Sequence, residues 1–183
     1  MLICPVCGKV LQKDGRVYIC ENGHSFDVAK EGYVNLLRSS KNGDLIGDDK
    51  ISARMRRDFL NKGYYALLKD ELCRIFGDKT GSVLDICCGE GYYTSALGKN
   101  PALDVYGFDI SKEMVRLAAK RGATTCFVAN LASIPMQDEG ISLASGLVPI
   151  LTVLGMELIL SHLSLKSLTL RRLLCGKPVI LIE

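Results

Sequence analysis

The sequence has no run of about eighteen or more uninterrupted apolar residues, which excludes a recognisable membrane-spanning helix and leaves no membrane partner to expect. Its start, Met1-Leu2-Ile3-Cys4-Pro5, lacks the basic residues and apolar stretch of a secretory leader, so a cytoplasmic location is expected. Charge of one sign is scarce. The 23 lysines and arginines against 20 acids leave a net charge of +3, and charge alone announces no nucleic-acid partner. No internal repeat occurs, which sets aside repeat architectures. At 48% hydrophobic and 23% charged, the 183 residues suit one globular domain, or one domain with a small module. Cysteine, in contrast, is plentiful, with eight in the chain. Disulfides need an oxidising compartment; in a reducing one, paired cysteines more often hold metal or do chemistry.

Three segments separate along the chain. Residues 1–38 are dense in cysteine, glycine and turn residues and read as a small zinc-binding module. Residues 39–79 open with a polar stretch and continue as a helical linker, with one helix expected over Ile51–Asn61 and a second over Tyr64–Phe76. In the second, Tyr65, Leu68, Leu72, Ile75 and Phe76 fall on one face at helical spacing. From residue 80 onward, strands expected at Ser82–Ile86, Asp104–Phe108 and Thr124–Val128 alternate with helices at Tyr92–Leu97 and Ser111–Arg121, the last capped by Ser111. Such alternation implies a parallel sheet with right-handed crossovers.

Cys4-Pro5-Val6-Cys7-Gly8 has the form of a metal knuckle, in which two thiolates two residues apart reach one ion and Gly8 eases the turn. Cys20 follows after twelve residues and His24 after three more, giving C-x2-C-x12-C-x3-H. Three thiolates and one imidazole close a tetrahedral zinc shell with no open position, so Cys4, Cys7, Cys20 and His24 are expected to hold a structural Zn2+. The segment is too short to bury a core unaided, and metal binding would contribute its folding energy.

Val83-Leu84-Asp85-Ile86-Cys87-Cys88-Gly89-Glu90-Gly91 is a strand running into a glycine-containing turn and then a helix. Glycines there let a nucleotide-like ligand approach the backbone at the carboxyl edge of the strand. Asp109 ends the next strand, eighteen residues beyond Gly91, where an acid accepts hydrogen bonds from ribose hydroxyls. No third glycine follows Gly91 at the spacing of the dinucleotide fingerprint; the shorter turn looks like the S-adenosyl-L-methionine motif. The candidate cofactor-binding residues are Asp85, Cys87, Gly89, Glu90, Gly91, Tyr92, Asp109 and Asn130. Asp85 either orients the turn, meets the amino group of the cofactor's methionine, or caps nearby backbone. Asn130 either contacts adenine or starts a turn. Tyr92 and Tyr93 line the pocket or serve packing. Cys73, Cys87, Cys88, Cys126 and Cys175 read as small packing residues, and His162 is given no role.

These motifs and the stretches between them resemble the 23S rRNA guanine-N1 methyltransferases of the RlmA type over about residues 1–139. The resemblance rests on Cys4-Pro5-Val6-Cys7, Tyr18-Ile19-Cys20, His24-Ser25-Phe26-Asp27 and the run Ala29 to Leu37 containing Lys30-Glu31-Gly32-Tyr33-Val34-Asn35-Leu36-Leu37. It continues through Gly47-Asp48, Arg56-Arg57, Phe59-Leu60, Gly63-Tyr64-Tyr65, Leu84 to Thr94, Asp109-Ile110-Ser111-Lys112 and Ala118-Ala119-Lys120-Arg121. It implies a Rossmann-like class I methyltransferase behind a zinc module, with S-adenosyl-L-methionine and Zn2+ as cofactors. It further implies methyl transfer to N1 of a guanine in a 23S rRNA hairpin, the zinc module serving RNA recognition. Lys50, Arg54, Arg56, Arg57 and Lys62, around the first linker helix, either meet phosphates or form a solvated helix face. No residue is singled out as the general base, and the oligomeric state, a dimer included, stays open.

Two departures stand out. Cys87 takes the place of the motif's first glycine. Residues 140–183 lose the pattern: Leu147–Leu160 holds one charge, Glu157. A frameshift or truncation is the expectation for this tail, with a genuine ending, strand and helix over Leu143–Leu154 and a strand over Val179–Ile182, as the alternative. Two other functions are therefore carried: a non-catalytic remnant that binds zinc and RNA, and a small-molecule methyltransferase.

Overall fold

The computed structural model describes residues 1–38, 47–137 and 143–145. The expectations for Leu147–Leu160, His162, Cys175 and Val179–Ile182 lie outside the described residues.

The first three strands, β1 (Leu11–Asp14), β2 (Val17–Cys20) and β3 (Ser25–Asp27), form an antiparallel meander in the order β1-β2-β3. Asp14 pairs with Val17, so Gly15-Arg16 is a two-residue hairpin loop, and Gly15 supplies the positive φ of 56° that such a turn needs at its first central position.

The second sheet is wholly parallel. It contains β4 (Val34–Asn35), β5 (Gly81–Ile86), β6 (Leu103–Asp109), β7 (Thr125–Val128) and β8 (Leu143–Ser145) in the order β4-β7-β6-β5-β8. Val83, Leu84, Asp85 and Ile86 are all buried, as expected of a central parallel strand covered on both faces. Beyond the three strands expected from the pattern, the sheet gains one strand on each side among the described residues. Val34 and Asn35, from the cysteine-rich segment, pair with Phe127 and Val128, and Leu143–Ser145 pairs with β5.

Among the described residues four helices accompany the sheet: α1 (Lys50–Asn61), α2 (Ala66–Ile75), α3 (Thr94–Leu97) and α4 (Lys112–Arg121). The Asp49 carboxylate accepts from the Ser52 amide and caps α1; Ser111 Oγ accepts from the Met114 amide and caps α4. Helix α2 begins at Ala66, so Tyr65 stands outside the buried face that its spacing suggested and is exposed, while Leu72 and Phe76 are buried against Val83, Leu97, Leu103 and Val105. Among the described residues no helix is long and apolar enough to cross a membrane.

One core joins the meander to the sheet. Leu2, Cys4, Leu11 and Cys20 pack with Val34, Leu84, Ile86, Phe108 and Phe127, the last two rings stacked 5.5 Å apart. The metal-ligand segment is thus built into the sheet's hydrophobic core, burying surface its own few residues could not supply.

Candidate functional site

Two turns bring the metal-type ligands together. Gly8 N–H donates to the Cys4 carbonyl at 2.8 Å and Gly23 N–H to the Cys20 carbonyl at 2.9 Å, each closing a knuckle after a ligand cysteine. Cys4, Cys7, Cys20 and His24 present ligand atoms that all lie within 4.8 Å of one another. The Cys7 and Cys20 sulfurs are 3.7 Å apart, and His24 Nδ1 stands 3.6 Å from Cys4 Sγ and 3.4 Å from Cys20 Sγ. An ion bonded to sulfur at about 2.3 Å and to nitrogen at about 2.0–2.1 Å in a tetrahedron needs edges of about 3.8 Å (S to S) and about 3.6 Å (S to N). These three edges lie within about 0.2 Å of those of a tetrahedral zinc. Without the ion, burial raises the Cys4 thiol, while Cys7 is lowered to about 6, chiefly by the Lys9 backbone N–H.

The second site lies where β5 and β6 end. After Ile86 the chain turns sharply at Cys87, whose φ of 57° is the only positive value at a non-glycine among the described residues. Cys87 is exposed here, unlike the buried Cys88 and Cys126, so it is not a packing residue. Partial withdrawal from water by the turn on its protein side, then the Asp109 and Asp85 carboxylates, push its thiol up to about 11. The left-handed region costs a side chain about 1–2 kcal/mol. Cys87→Gly should therefore raise the thermal midpoint by a few degrees, read by differential scanning fluorimetry; a lower midpoint would show that the thiol makes contacts worth more than the strain.

Gly89 N–H donates to Asp109 Oδ2 at 3.0 Å and Ser111 N–H to Asp109 Oδ1 at 2.9 Å. Partial burial raises the Asp109 carboxyl, and these two N–H groups oppose the rise. A Cβ added at Gly89 would meet nothing within 4 Å, so the turn is open above it. A Cβ at Gly91, where φ is +79°, would lie 2.8 Å from Ala118 Cα; this glycine lets α4 pack against the turn. An open glycine backbone beside a fixed acid fits a ribose-bearing ligand lying over the turn.

The other candidates are placed differently. Asp85 is buried and its Oδ2 accepts the Thr94 hydroxyl at 2.5 Å, tying β5 to α3 beneath the turn. Asn130 is exposed, and its Oδ1 accepts from the Ala132 amide at 2.9 Å, forming a turn. Tyr92 is buried edge-on to Tyr93, with Lys69 and Arg121 over its ring. The Glu90 carboxylate points inward: Oε2 accepts from Arg121 Nε at 2.8 Å and Nη2 at 2.5 Å, while buried Oε1 has no hydrogen-bond partner. Arg121 Nη2 also donates to Asn61 Oδ1 at 2.9 Å, linking the turn to the end of α1. The start of α1 sits at Asp109, since Ser111 Oγ donates to the Asp48 carbonyl at 2.7 Å and Arg56 pairs with Asp48. Sequence spacing carries no signal for the Ser111–Asp48, Arg121–Glu90 and Arg121–Asn61 contacts, whose partners lie 31 to 63 residues apart.

Comparison with known proteins fits this geometry. Residues 2–41 match the model for the N-terminal zinc ribbon of RlmA, and residues 83–155 match a methyltransferase domain. The chain thus joins a segment similar to the RlmA zinc ribbon to one similar to a methyltransferase domain. The chain is 32% identical over 151 residues to the 23S rRNA (guanine(748)-N(1))-methyltransferase of Streptomyces fradiae, covering 78% of this chain and 53% of that protein. Two provisionally named 23S rRNA (guanine-N(1)-)-methyltransferases are similar. That of Micromonospora griseorubida is 34% identical, covering 68% of this chain and 50% of its own length; YxjB of Bacillus subtilis is 31% identical, covering 76% and 53%. The chain therefore spans about half the length of the curated relatives it matches. The fold class read from the sequence, a Rossmann-like methyltransferase behind a zinc module, holds, and its cofactors are S-adenosyl-L-methionine and zinc.

Proposed function

We propose that this chain carries the zinc and cofactor-binding part of an enzyme that methylates N1 of a guanine in a 23S rRNA hairpin, in the cytoplasm. The observation that carries the proposal is the packing of the four-ligand ribbon into the same core as the strand that leads to the cofactor turn. A small-molecule methyltransferase rarely needs such a ribbon, whereas a folded RNA substrate benefits from a second surface that fixes its register.

In this proposal Cys4, Cys7, Cys20 and His24 hold a structural zinc, and the cofactor lies over Cys87, Gly89 and Gly91. S-adenosyl-L-methionine, when bound, would supply an electrophilic methyl group to guanine N1, whose proton has to pass to solvent or a base as the sulfonium C–S bond breaks. Asp109, its carboxylate aimed by the Gly89 and Ser111 amides, accepts hydrogen bonds from the ribose hydroxyls. Asp85 holds Thr94 and so fixes the turn's foundation, and Glu90 does the same from behind through Arg121. Asn130 and Tyr92 border the site, Asn130 within its own turn and Tyr92 under the Arg121 guanidinium. The residues' task is positioning, which supplies much of the rate in an in-line displacement; the target base must be unstacked to reach the turn.

The test is transfer of labelled methyl from S-adenosyl-L-methionine to unmodified 23S rRNA by the zinc-loaded chain, with Asp109→Ala beside it. Incorporation is expected, and calorimetry should show cofactor affinity falling about 10- to 100-fold in the variant, the worth of charge-assisted hydrogen bonds. Unchanged affinity in Asp109→Ala would remove Asp109 from the site. Cofactor and RNA binding without transfer would support the non-catalytic remnant instead.

A further inference from the structure

Helix α1 lies across the site. Asp48, just ahead of its start, accepts from Ser111 beside Asp109, and its last residue, Asn61, accepts from Arg121 behind the cofactor turn. Its inner face packs through Ala53 on Met114 and Leu117 of α4. Its outer face is unusual for surface helix: Ile51 is 69% exposed, Met55 68% and Phe59 46%, at i, i+4, i+8 spacing. The stripe continues into Tyr64 at 70% and Tyr65 at 42%. The Phe59 ring centroid is 5.5 Å from that of Tyr64 and 6.0 Å from that of Tyr65, so three aromatic faces gather at one end of the helix. Contiguous exposed apolar surface of this kind marks a binding site.

The charges around it say what kind. Lys50, Arg54 and Lys62 are exposed, against Asp58 as the helix's one acid, and have no ion-pair partner among the described residues. Arg57, partly buried, is close enough to bear on Glu90. A second copy of the chain docking by this face would present the same patch to itself and bring these cations together. A strand of RNA satisfies both features, because its phosphates take the cations and its unpaired bases stack on the rings.

We propose that the outer face of α1 with Tyr64 and Tyr65 is a docking platform for unpaired RNA. Phe59, Tyr64 and Tyr65 stack on loop bases, and Lys50, Arg54 and Lys62 hold the flanking phosphates. The platform adjoins the cofactor turn through Asn61 and Arg121, so loop bases held there lie beside the base to be methylated. This rests on the RNA-methylating function proposed above and names the surface by which the substrate's loop is held.

The test uses the full zinc-loaded chain, a fluorescein-labelled RNA stem-loop with guanines in the loop, and a blunt RNA duplex of the same stem. Phe59→Ala/Tyr64→Ala changes only exposed rings; zinc content and cofactor affinity serve as controls and should not move. The expected result is about 10- to 100-fold weaker binding of the stem-loop, the range for losing one or two stacked bases, with duplex binding within about twofold. Arg54→Gln/Lys62→Gln should weaken both RNAs and flatten the salt dependence of stem-loop binding by about one to two in log–log slope. Stem-loop affinity unchanged in the ring variant overturns the platform while leaving the methyltransferase proposal standing. So does a wild-type dimer that the ring variant converts to monomer with RNA binding intact, which would make the face a contact between copies. If the wild-type chain binds its cofactor but neither RNA, the RNA substrate itself is wrong and the platform falls with it.

Discussion

Cys20→Ser will strip the chain of zinc and will loosen the main sheet as well as the ribbon. Structural zinc contributes about 10–16 kcal/mol of apparent binding energy to modules of this size at neutral pH, so loss of one thiolate from a closed shell leaves the ribbon without its main source of order. The effect spreads because the ligands are also core residues. Cys4 and Cys20 are buried in the cluster that holds Leu84 and Ile86 of β5 and Phe108 of β6, and Val34 of β4 pairs with Phe127 of β7. Unfolding the ribbon uncovers that face of the sheet. A chromogenic chelator should find one zinc per wild-type chain and none in the variant. Hydrogen exchange should accelerate across residues 2–36 and also in β7. Faster exchange in the ribbon with β7 unchanged would contradict the coupling, and one retained zinc would contradict the ligand set.

Arg121→Met carries the second large effect. The guanidinium is the only hydrogen-bond partner of the Glu90 carboxylate among the described residues, and Glu90 Oε1 already has none. Breaking a buried pair by removing one partner costs about 3–5 kcal/mol, since a carboxylate stays behind in a dry site. The sign of the pH dependence follows. Burial already raises the Glu90 pKa, with Arg121 opposing the rise; without Arg121 it rises further. A glutamate whose folded pKa lies above its unfolded value binds more protons when folded, so its penalty is absent below the unfolded pKa and grows as pH rises towards the folded one. Urea unfolding should therefore show the variant's deficit shrinking from about pH 8 to about pH 5. Glu90→Gln added to Arg121→Met should restore part of the stability at the higher pH. An equal deficit at both pH values would mean that Arg121 acts by packing on Tyr92 instead, where it already lies over the ring.

The features legible in the sequence were those written in local spacing. The knuckles at Cys4–Gly8 and Cys20–His24 are short turns, and three strands of the parallel sheet announced themselves as apolar runs between helical segments. The capping role of Ser111 was also local, being decided by an amide three residues on. What stayed hidden depends on pairing across the chain. Val34-Asn35 is a two-residue strand with no pattern of its own; its partners, Phe127 and Val128, lie more than ninety residues away. Tyr65 satisfies helical spacing with Leu68 and Leu72, but the chain enters α2 one residue later and leaves the ring outside with Phe59. Glu90 looked like a residue of the cofactor turn because its backbone is; only the fold shows that its side chain turns away to Arg121. Cys87 looked like a small buried thiol, whereas the strand-to-turn reversal places it at the surface in a glycine's conformation.

The most direct test of the central claim, that ribbon and cofactor turn form one RNA-modifying unit, is to locate the methyl group. The zinc-loaded chain is incubated with methyl-labelled S-adenosyl-L-methionine and unmodified 23S rRNA, and the RNA is digested and read by mass spectrometry. Label is expected on guanine N1 at a single hairpin position, lost in Cys20→Ser and reduced in Asp109→Ala at limiting cofactor. Label on another base or atom, or label on guanine N1 that persists when the zinc ligands are removed, would contradict the claim.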